Sequence, residues 1–286
     1  MTITDKWILS RFAQTVNDVT QHLDEFKYSE PLAQIYRFFW NDLCDWYLEW
    51  AKPRMKDEQQ RPIAQNVLAF VLDQSLRLLH PFVPFITEGI FQKLNEITPV
   101  RALKDVAEAD KAEALVIAQW PRKMEFLIDG DAEKQIELVQ TVIRTIRDIK
   151  SNRNIPPKQQ PVVSAKPQQE NVEVLNRNAV LIEQLAGIKE FKAGITIVRP
   201  PTAAVGIADS TEVYVHNAID PQVERERLKK QKEDVERAKK AAENKLANKN
   251  FVNKAKPEVV AQAKERLAEL TQQLEAIEKH LADLSS

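Results

Sequence analysis

The chain has 286 residues, 43% hydrophobic and 29% charged, with a net charge of −1, so it can bury a core and any basic surface must be local. Its five glycines, Gly89, Gly130, Gly187, Gly194 and Gly206, are never closer than seven residues, which excludes a G-x-G-x-x-G turn and a P-loop. One cysteine, Cys44, and four histidines at least 58 residues apart exclude an internal disulfide, a cysteine zinc cluster and any sequence-local metal site; with no apolar run near a membrane span and no apolar signal core, a soluble cytoplasmic protein without a metal is expected.

The first 50 residues hold 11 of the 20 aromatics. Leu9, Phe12, Val16, Val19, Leu23 and Phe26 recur three or four apart and predict a helix from Asp5 to Phe26, capped by Thr4 or Asp5. Ser29 with Pro31 starts a second helix, which Pro53 should stop near Lys52. After a polar loop, Pro62 opens a third helix through Val67, Phe70, Val71, Leu76 and Leu79; HPFVPF breaks it, and a fourth helix ends near Leu94. Short connections between these helices predict an antiparallel bundle. Beyond it a short strand is expected at Ala114 to Ala118, then a helix from Ala132 to Asn152 with Ile136, Val139, Ile143 and Ile146 on one face. Short β-branched runs at Pro161 to Ser164, Ile195 to Val198 and Val213 to Val215, with a helix from Val172 to Leu185, read as a small α/β domain.

From Asp220-Pro221 the composition turns to Lys, Glu, Ala and Leu. Val260, Ala263, Leu267, Leu270, Leu274, Ile277, Leu281 and Leu284 make a heptad seam. Leu228, Val235, Ala238, Ala242 and Leu246 make a weaker one. The break at Asn248 to Pro257 between them predicts an antiparallel helical hairpin. Residues 225–256 carry 12 Lys or Arg against 5 Asp or Glu, and residues 257–286 carry 3 against 6. The basic strand either tracks a phosphate backbone or is a solvated flank.

Within Tyr36 to Pro53, Phe39, Leu43, Trp46 and Trp50 form a core stripe. Trp40, Tyr47 and Leu48, with Lys52, lie off that stripe; they either stack on single-stranded bases or pack on a neighbouring helix. Asp45 is expected to pair with Arg77 or Arg37 or to orient a tryptophan N–H, Cys44 to be a buried small hydrophobe, and His80 to satisfy final helix carbonyls. Arg144, Arg147, Lys150 and Arg153 share one helix face, facing solvent or phosphate. No constellation of catalytic residues is found.

DKWILSRF (Asp5 to Phe12), FFWNDLCDWYLEWAKP (Phe38 to Pro53), LLHPFVPFITEGIFQKL (Leu78 to Leu94), AQWP (Ala118 to Pro121), IRTIRDIKSNRNIPP (Ile143 to Pro157), TEVYVHNAID (Thr211 to Asp220) and KLANKNFVNKAKPEVVAQAKERLAEL (Lys245 to Leu270) closely resemble the C-terminal half of the bacterial valyl-tRNA synthetase family. The resemblance covers nearly the whole chain, and CDWYLE together with NFVNKAKPEVV is specific to the valyl enzymes. It implies a mainly α protein: an anticodon-binding helical bundle of the class I synthetase type over 1–130, a helix plus small α/β linking domain over 131–218, and an antiparallel coiled-coil arm over 219–286.

The resemblance also implies valine-specific tRNA as partner. Trp40, Tyr47, Leu48 and Lys52 become candidates for the anticodon. Arg225, Lys229, Lys230, Lys232, Arg237, Lys240, Arg144 and Arg147 become candidates for the tRNA backbone and outer corner, where the D and T loops meet. The family's H-I-G-H and K-M-S-K-S motifs do not occur; Arg54-Met55-Lys56 and Lys123-Met124 are the nearest echoes. The catalytic and editing domains, and helices of the bundle before Asp5, are therefore expected to lie outside this sequence. No catalysis and no cofactor are expected of this chain itself, ATP serving only the full enzyme. A monomer is expected, with a separate catalytic half as a further partner. The rival readings are a stand-alone tRNA-binding adaptor and a coiled-coil protein-interaction module.

Overall fold

The computed structural model describes residues 1–103, 106–109, 111–218, 221–247 and 257–283. The chain divides into two compact units, residues 1–143 with 180–185, and residues 144–179 with 186–286. It is mainly α-helical with one small mixed sheet, as the sequence predicts. Among the described residues no helix is long and apolar enough to cross a membrane.

The first unit opens with α1 (Ile3–Asp24). A capping box starts it: Thr2 Oγ1 accepts from the Asp5 N–H, and the Asp5 carboxylate accepts from the Thr2 N–H. The cap is thus Thr2, upstream of the expected Thr4 or Asp5. Leu9, Phe12, Val16 and Val19 are buried as the spacing requires. Phe26 leaves the stripe. It takes a φ of 59° and is 77% exposed, because the Lys27 and Phe26 N–H groups turn back to the His22 and Leu23 carbonyls and close the helix end.

Next come α2 (Ser29–Arg37), a π-helical segment (Phe38–Tyr47) and α3 (Leu48–Arg54), continuous in helical backbone. A π-turn bonds i to i+5 and takes in an extra residue. Phe38 and Leu43, five apart, therefore both reach the core, followed by Trp46, Tyr47, Trp50 and Ala51. The straight helical stripe places Phe39 inside and Tyr47 off it; instead Phe39 is half-buried, and Tyr47 is fully buried against α1, the packing alternative rather than the stacking one. Pro53 sits inside the last turn of α3 rather than stopping it. A proline leaves the carbonyl four residues back without its helical donor. Here that carbonyl, on Glu49, accepts from Gln184 Nε2 at 2.7 Å.

The helices α4 (Arg61–Leu79) and α5 (Pro84–Ile97) complete the bundle, each with proline in its first turn. Trp7 meets Trp50 edge-on at 5.8 Å, and Phe12 meets Phe70 edge-on at 6.3 Å. After a two-residue ladder of β1 (Ala102–Leu103) with β2 (Ala107–Glu108), the expected strand at Ala114 to Ala118 is a 3-10 turn, Leu115–Ile117. Only Leu115 has a core to enter, against Leu76, Phe91 and Leu94; Val116 and Ile117 face out. Asp73 binds Arg77 at 2.8 Å and Arg101 at 2.9 Å, and both guanidiniums lie over the Phe91 ring. Arg77 is therefore taken by Asp73, and the expected partner Asp45 is exposed. The His80 ring bonds Thr87 Oγ1 at 2.9 Å rather than a helix carbonyl.

Asp129 caps α6 (Gly130–Asn152), accepting from the Ala132 N–H at 2.9 Å. Ile136, Val139, Ile143 and Ile146 are fully buried along it, as expected.

The second unit carries a four-stranded sheet. Its strands are β3 (Val162–Lys166), β4 (Glu190–Ala193), β5 (Ala204–Ala208) and β6 (Thr211–Val215), in the order β4-β3-β6-β5. β3 and β4 are parallel, and the chain between them passes through α7 (Gln169–Arg177) and α8 (Ala179–Ala186); the other pairs are antiparallel. The single helix expected from Val172 to Leu185 is broken at Asn178, whose side chain bonds back to the Val174 carbonyl at 2.9 Å. The run Ile195 to Val198 is not a strand. β4 lies just before it, where only Phe191 and Ala193 alternate inward. At Gly206 of β5 a Cβ would stand 2.7 Å from Thr145 Cγ2 and 2.9 Å from Ile149 Cδ1, so α6 packs on the sheet only because the residue is glycine.

Two 27-residue helices follow, α9 (Pro221–Ala247) and α10 (Pro257–Asp283). Leu228 near the start of α9 packs on Ile277 near the end of α10, so the pair is antiparallel. The expected break between them, the seam residues Val260 and Ala263, and Leu284 lie outside the described residues or side chains.

Candidate nucleic-acid interface

On the bundle, the helical run from α2 into the π segment turns Tyr28, Leu32, Tyr36 and Trp40 outward, with exposures of 59%, 42%, 61% and 54%. They are four residues apart, so they share one face. Tyr36 and Trp40 have ring planes parallel to within 1°, centroids 6.3 Å apart. Of the expected anticodon residues, Trp40 is exposed, Leu48 is half-buried, and Lys52 is exposed and ion-paired to Glu49. Tyr47 is a correction. It is fully buried, with its hydroxyl donating to Asp5 Oδ1 at 2.8 Å, and has no surface on which a base could stack. The extra residue of the π-turn rotated it inward. The exposed partner that spacing within Tyr36 to Pro53 missed is Tyr36; the i, i+4 series starting at Tyr28 would have found it.

Tyr47 belongs to a buried cluster. Arg54 donates to both Asp5 oxygens at 2.7 and 2.9 Å. Burial pushes the Asp5 carboxyl up, but the bonds from Arg54, the Thr2 backbone and Tyr47 and the charge of Arg54 outweigh it and hold it below the ordinary aspartate value. Burial, followed by the Asp5 charge, pushes the Tyr47 phenol far up.

On the helix pair, Lys229, Lys230 and Lys240 are exposed, and among the described residues none of the three forms an ion pair. Lys229 and Lys240 stand eleven residues apart, three helical turns, and point the same way. Arg237 is exposed and ion-paired to Asp234. Arg225 and Lys232 lie instead along the seam. Arg225, Lys232 and Lys239 are half-buried at seven-residue intervals, alternating with Leu228, Val235 and Ala242, while Ala238, expected in the seam, is exposed. Lys232 Nζ reaches Glu278 at 2.7 Å, and that bond leads the effects that push its pKa up. On α10, Ile277 is buried against Leu228, with Val235 and Leu281 packed on the pair, and Leu270 is buried as well.

On α6, Arg144 and Arg147 are exposed, as is Arg153 beyond its end. Lys150 leaves that basic face. Its ammonium caps the end of α8, donating to the carbonyls of Ala186 at 3.0 Å and Gly187 at 2.7 Å, and burial, then the charge of Arg147, lowers its pKa. Cys44 is half-buried rather than buried, its thiol pushed up by burial and by the Asp45 carboxylate, which makes it a poor nucleophile. Among the described residues no group of three or more His, Cys, Asp or Glu is placed to hold a metal.

The anticodon-binding domain of tRNA ligases matches residues 5–166, and the tRNA-binding arm of valyl-tRNA synthetase matches residues 220–285. The chain is similar to the valine–tRNA ligase of Thermotoga maritima, 39% identical over 98% of this chain and 30% of the relative. It is similar also to those of Petrotoga mobilis (37% identical, 99% of this chain, 31% of the relative) and Rhodopirellula baltica (33%, 99% and 28%). The chain thus spans about three-tenths of the length of these relatives.

Proposed function

Since the chain belongs to the family of anticodon-binding domains of tRNA ligases, we propose that it binds valine-specific tRNA as part of valine–tRNA ligation, with its bundle at the anticodon end and its helix pair at the outer corner. The observation that carries this reading is that the two matched tRNA-reading parts, residues 5–166 and 220–285, occur in one chain and fall on the bundle and on the helix pair. The exposed lysines of α9 support it. Cations on one helical face neutralise successive phosphates and release counterions, giving affinity that salt weakens. Base-facing contacts on the bundle would supply the identity that phosphate contacts lack. The ATP-dependent esterification of valine, and editing, would be carried by residues outside this sequence, on a catalytic part with which the chain works in the cytoplasm. In this reading the chain itself is monomeric, since α9 and α10 satisfy each other's seams.

Binding to valine-specific tRNA, titrated with salt and repeated with an anticodon-swapped tRNA, tests the reading. The expected result is salt-sensitive binding that weakens on the swap. Salt-sensitive binding indifferent to the swap would leave only the arm in contact. No binding, or a mass that rises with concentration in light scattering, would overturn the reading in favour of a protein-interaction module.

A further inference from the structure

We propose that the exposed Tyr36–Trp40 ring pair is a stacking platform for bases splayed out of a single-stranded RNA loop, a role that rests on the tRNA reading above and assigns it to particular rings. The aromatic pairs inside the bundle cross at 35° to 82°, as closely packed rings do. Among the ring pairs of the described residues, Tyr36–Trp40 alone is parallel, at 1°, and both its rings are exposed. A planar base laid on one ring is therefore already aligned with the other. Arg37, exposed between the two in sequence, supplies a guanidinium for the backbone or for a second base face. Leu32 and Tyr28 extend the same face toward the start of α2 and give a second apolar surface one and two steps along. Every base has a π-face, so the platform contributes affinity more than sequence choice.

Trp40 is its own reporter. Trp7, Trp46 and Trp50 are buried, and Trp120 is half-buried with its indole N–H on Thr20 Oγ1. The full chain would be titrated with valine-specific tRNA, with a short unstructured oligoribonucleotide of the anticodon-loop sequence, and with the same oligomer made abasic. Tryptophan fluorescence and anisotropy of labelled RNA are read in parallel. The expected result is quenching by tRNA and by the native oligomer but not by the abasic one. Tyr36→Ser and Trp40→Ala, both at exposed positions, should each weaken the native oligomer about tenfold, within the range of one lost stacking contact, and leave the salt slope of tRNA binding unchanged. Trp40→Phe should retain most of the affinity. Tight tRNA binding with no quenching and no effect of either variant would overturn the platform and leave the tRNA reading standing. Equal affinity for native and abasic oligomers would overturn it even if tRNA failed to bind. A concentration-dependent mass abolished by Trp40→Ala would overturn it in favour of a protein partner on this face.

Discussion

Asp5 is fully buried, yet it accepts from the Thr2 N–H, from Tyr47 and twice from Arg54. A carboxylate so placed is stable only while its partners remain, and removing one charge of such a pair typically costs about 3–5 kcal/mol. Arg54→Met should destabilise the bundle by about that amount in urea at neutral pH. Because Asp5 titrates below its ordinary value in the folded state, its contribution is complete above the unfolded-state pKa and is lost as pH falls through the lowered folded one. In the variant the unpaired carboxyl is raised and is neutralised in acid. The stability difference between the two proteins should therefore narrow as pH falls; a constant difference would mean that Asp5 is not the group left stranded. Phe26 offers the opposite change. A left-handed backbone costs a residue with a Cβ about 1–2 kcal/mol that glycine avoids, and the ring is mostly exposed, so Phe26→Gly should stabilise by about 1 kcal/mol. Both residues were visible in the sequence, Asp5 as a helix-start acid and Phe26 as an apolar repeat. Their partners were not, because Arg54 and Tyr47 meet Asp5 from more than 40 residues away, and local spacing carries no information about such meetings.

The π segment decides which face of the second helical run is core. Trp46 is 7% exposed and packs on Trp50 at 5.2 Å, so Trp46→Ala should cost about 3–5 kcal/mol and unfold the bundle rather than remove RNA binding selectively. A folded variant that has lost RNA binding would show that this ring faces the ligand. Periodicity found the helices themselves, because apolar residues at helical spacing need only a uniform repeat. It misplaced Phe39, which is half-buried while Phe38 takes the core, and left Tyr47 open between stacking and packing, because nothing in the composition marks a π-turn. β5 escaped for a related reason: with Gly206 at its centre and alanines at both ends it carries little strand propensity. That glycine is nonetheless required, and Gly206→Ala should destabilise the second unit by about 1–3 kcal/mol, by forcing Thr145 or Ile149 to move. On α9, Lys229→Ala with Lys230→Ala should weaken tRNA binding and reduce its salt slope by roughly one to two counterions. An unchanged slope would mean that this face does not meet phosphate.

The molecule joins a unit that would read bases to a helix pair that would hold phosphates, and the two contributions should be separable. Deleting residues 219–286 should remove most of the salt dependence of tRNA binding while preserving the effect of an anticodon swap. Loss of both together would mean that the bundle cannot hold RNA without the arm. In the arm, Leu228, Leu270 and Ile277 are buried at their heptad places, because a leucine repeat needs only uniform helical spacing, whereas Ala238 is exposed. The arm's division of labour was not legible: the same run of cations splits into Lys229, Lys230 and Lys240, which face outward, and Arg225, Lys232 and Lys239, which face the seam. That split has a consequence during synthesis. α9 leaves the ribosome first, and at about 5–20 residues per second it waits roughly 2–7 s for α10 to be completed. Through that interval its future contact face carries a cation at every second step, so two nascent α9 helices repel each other and the unpaired half stays solvated until its leucine-faced mate arrives.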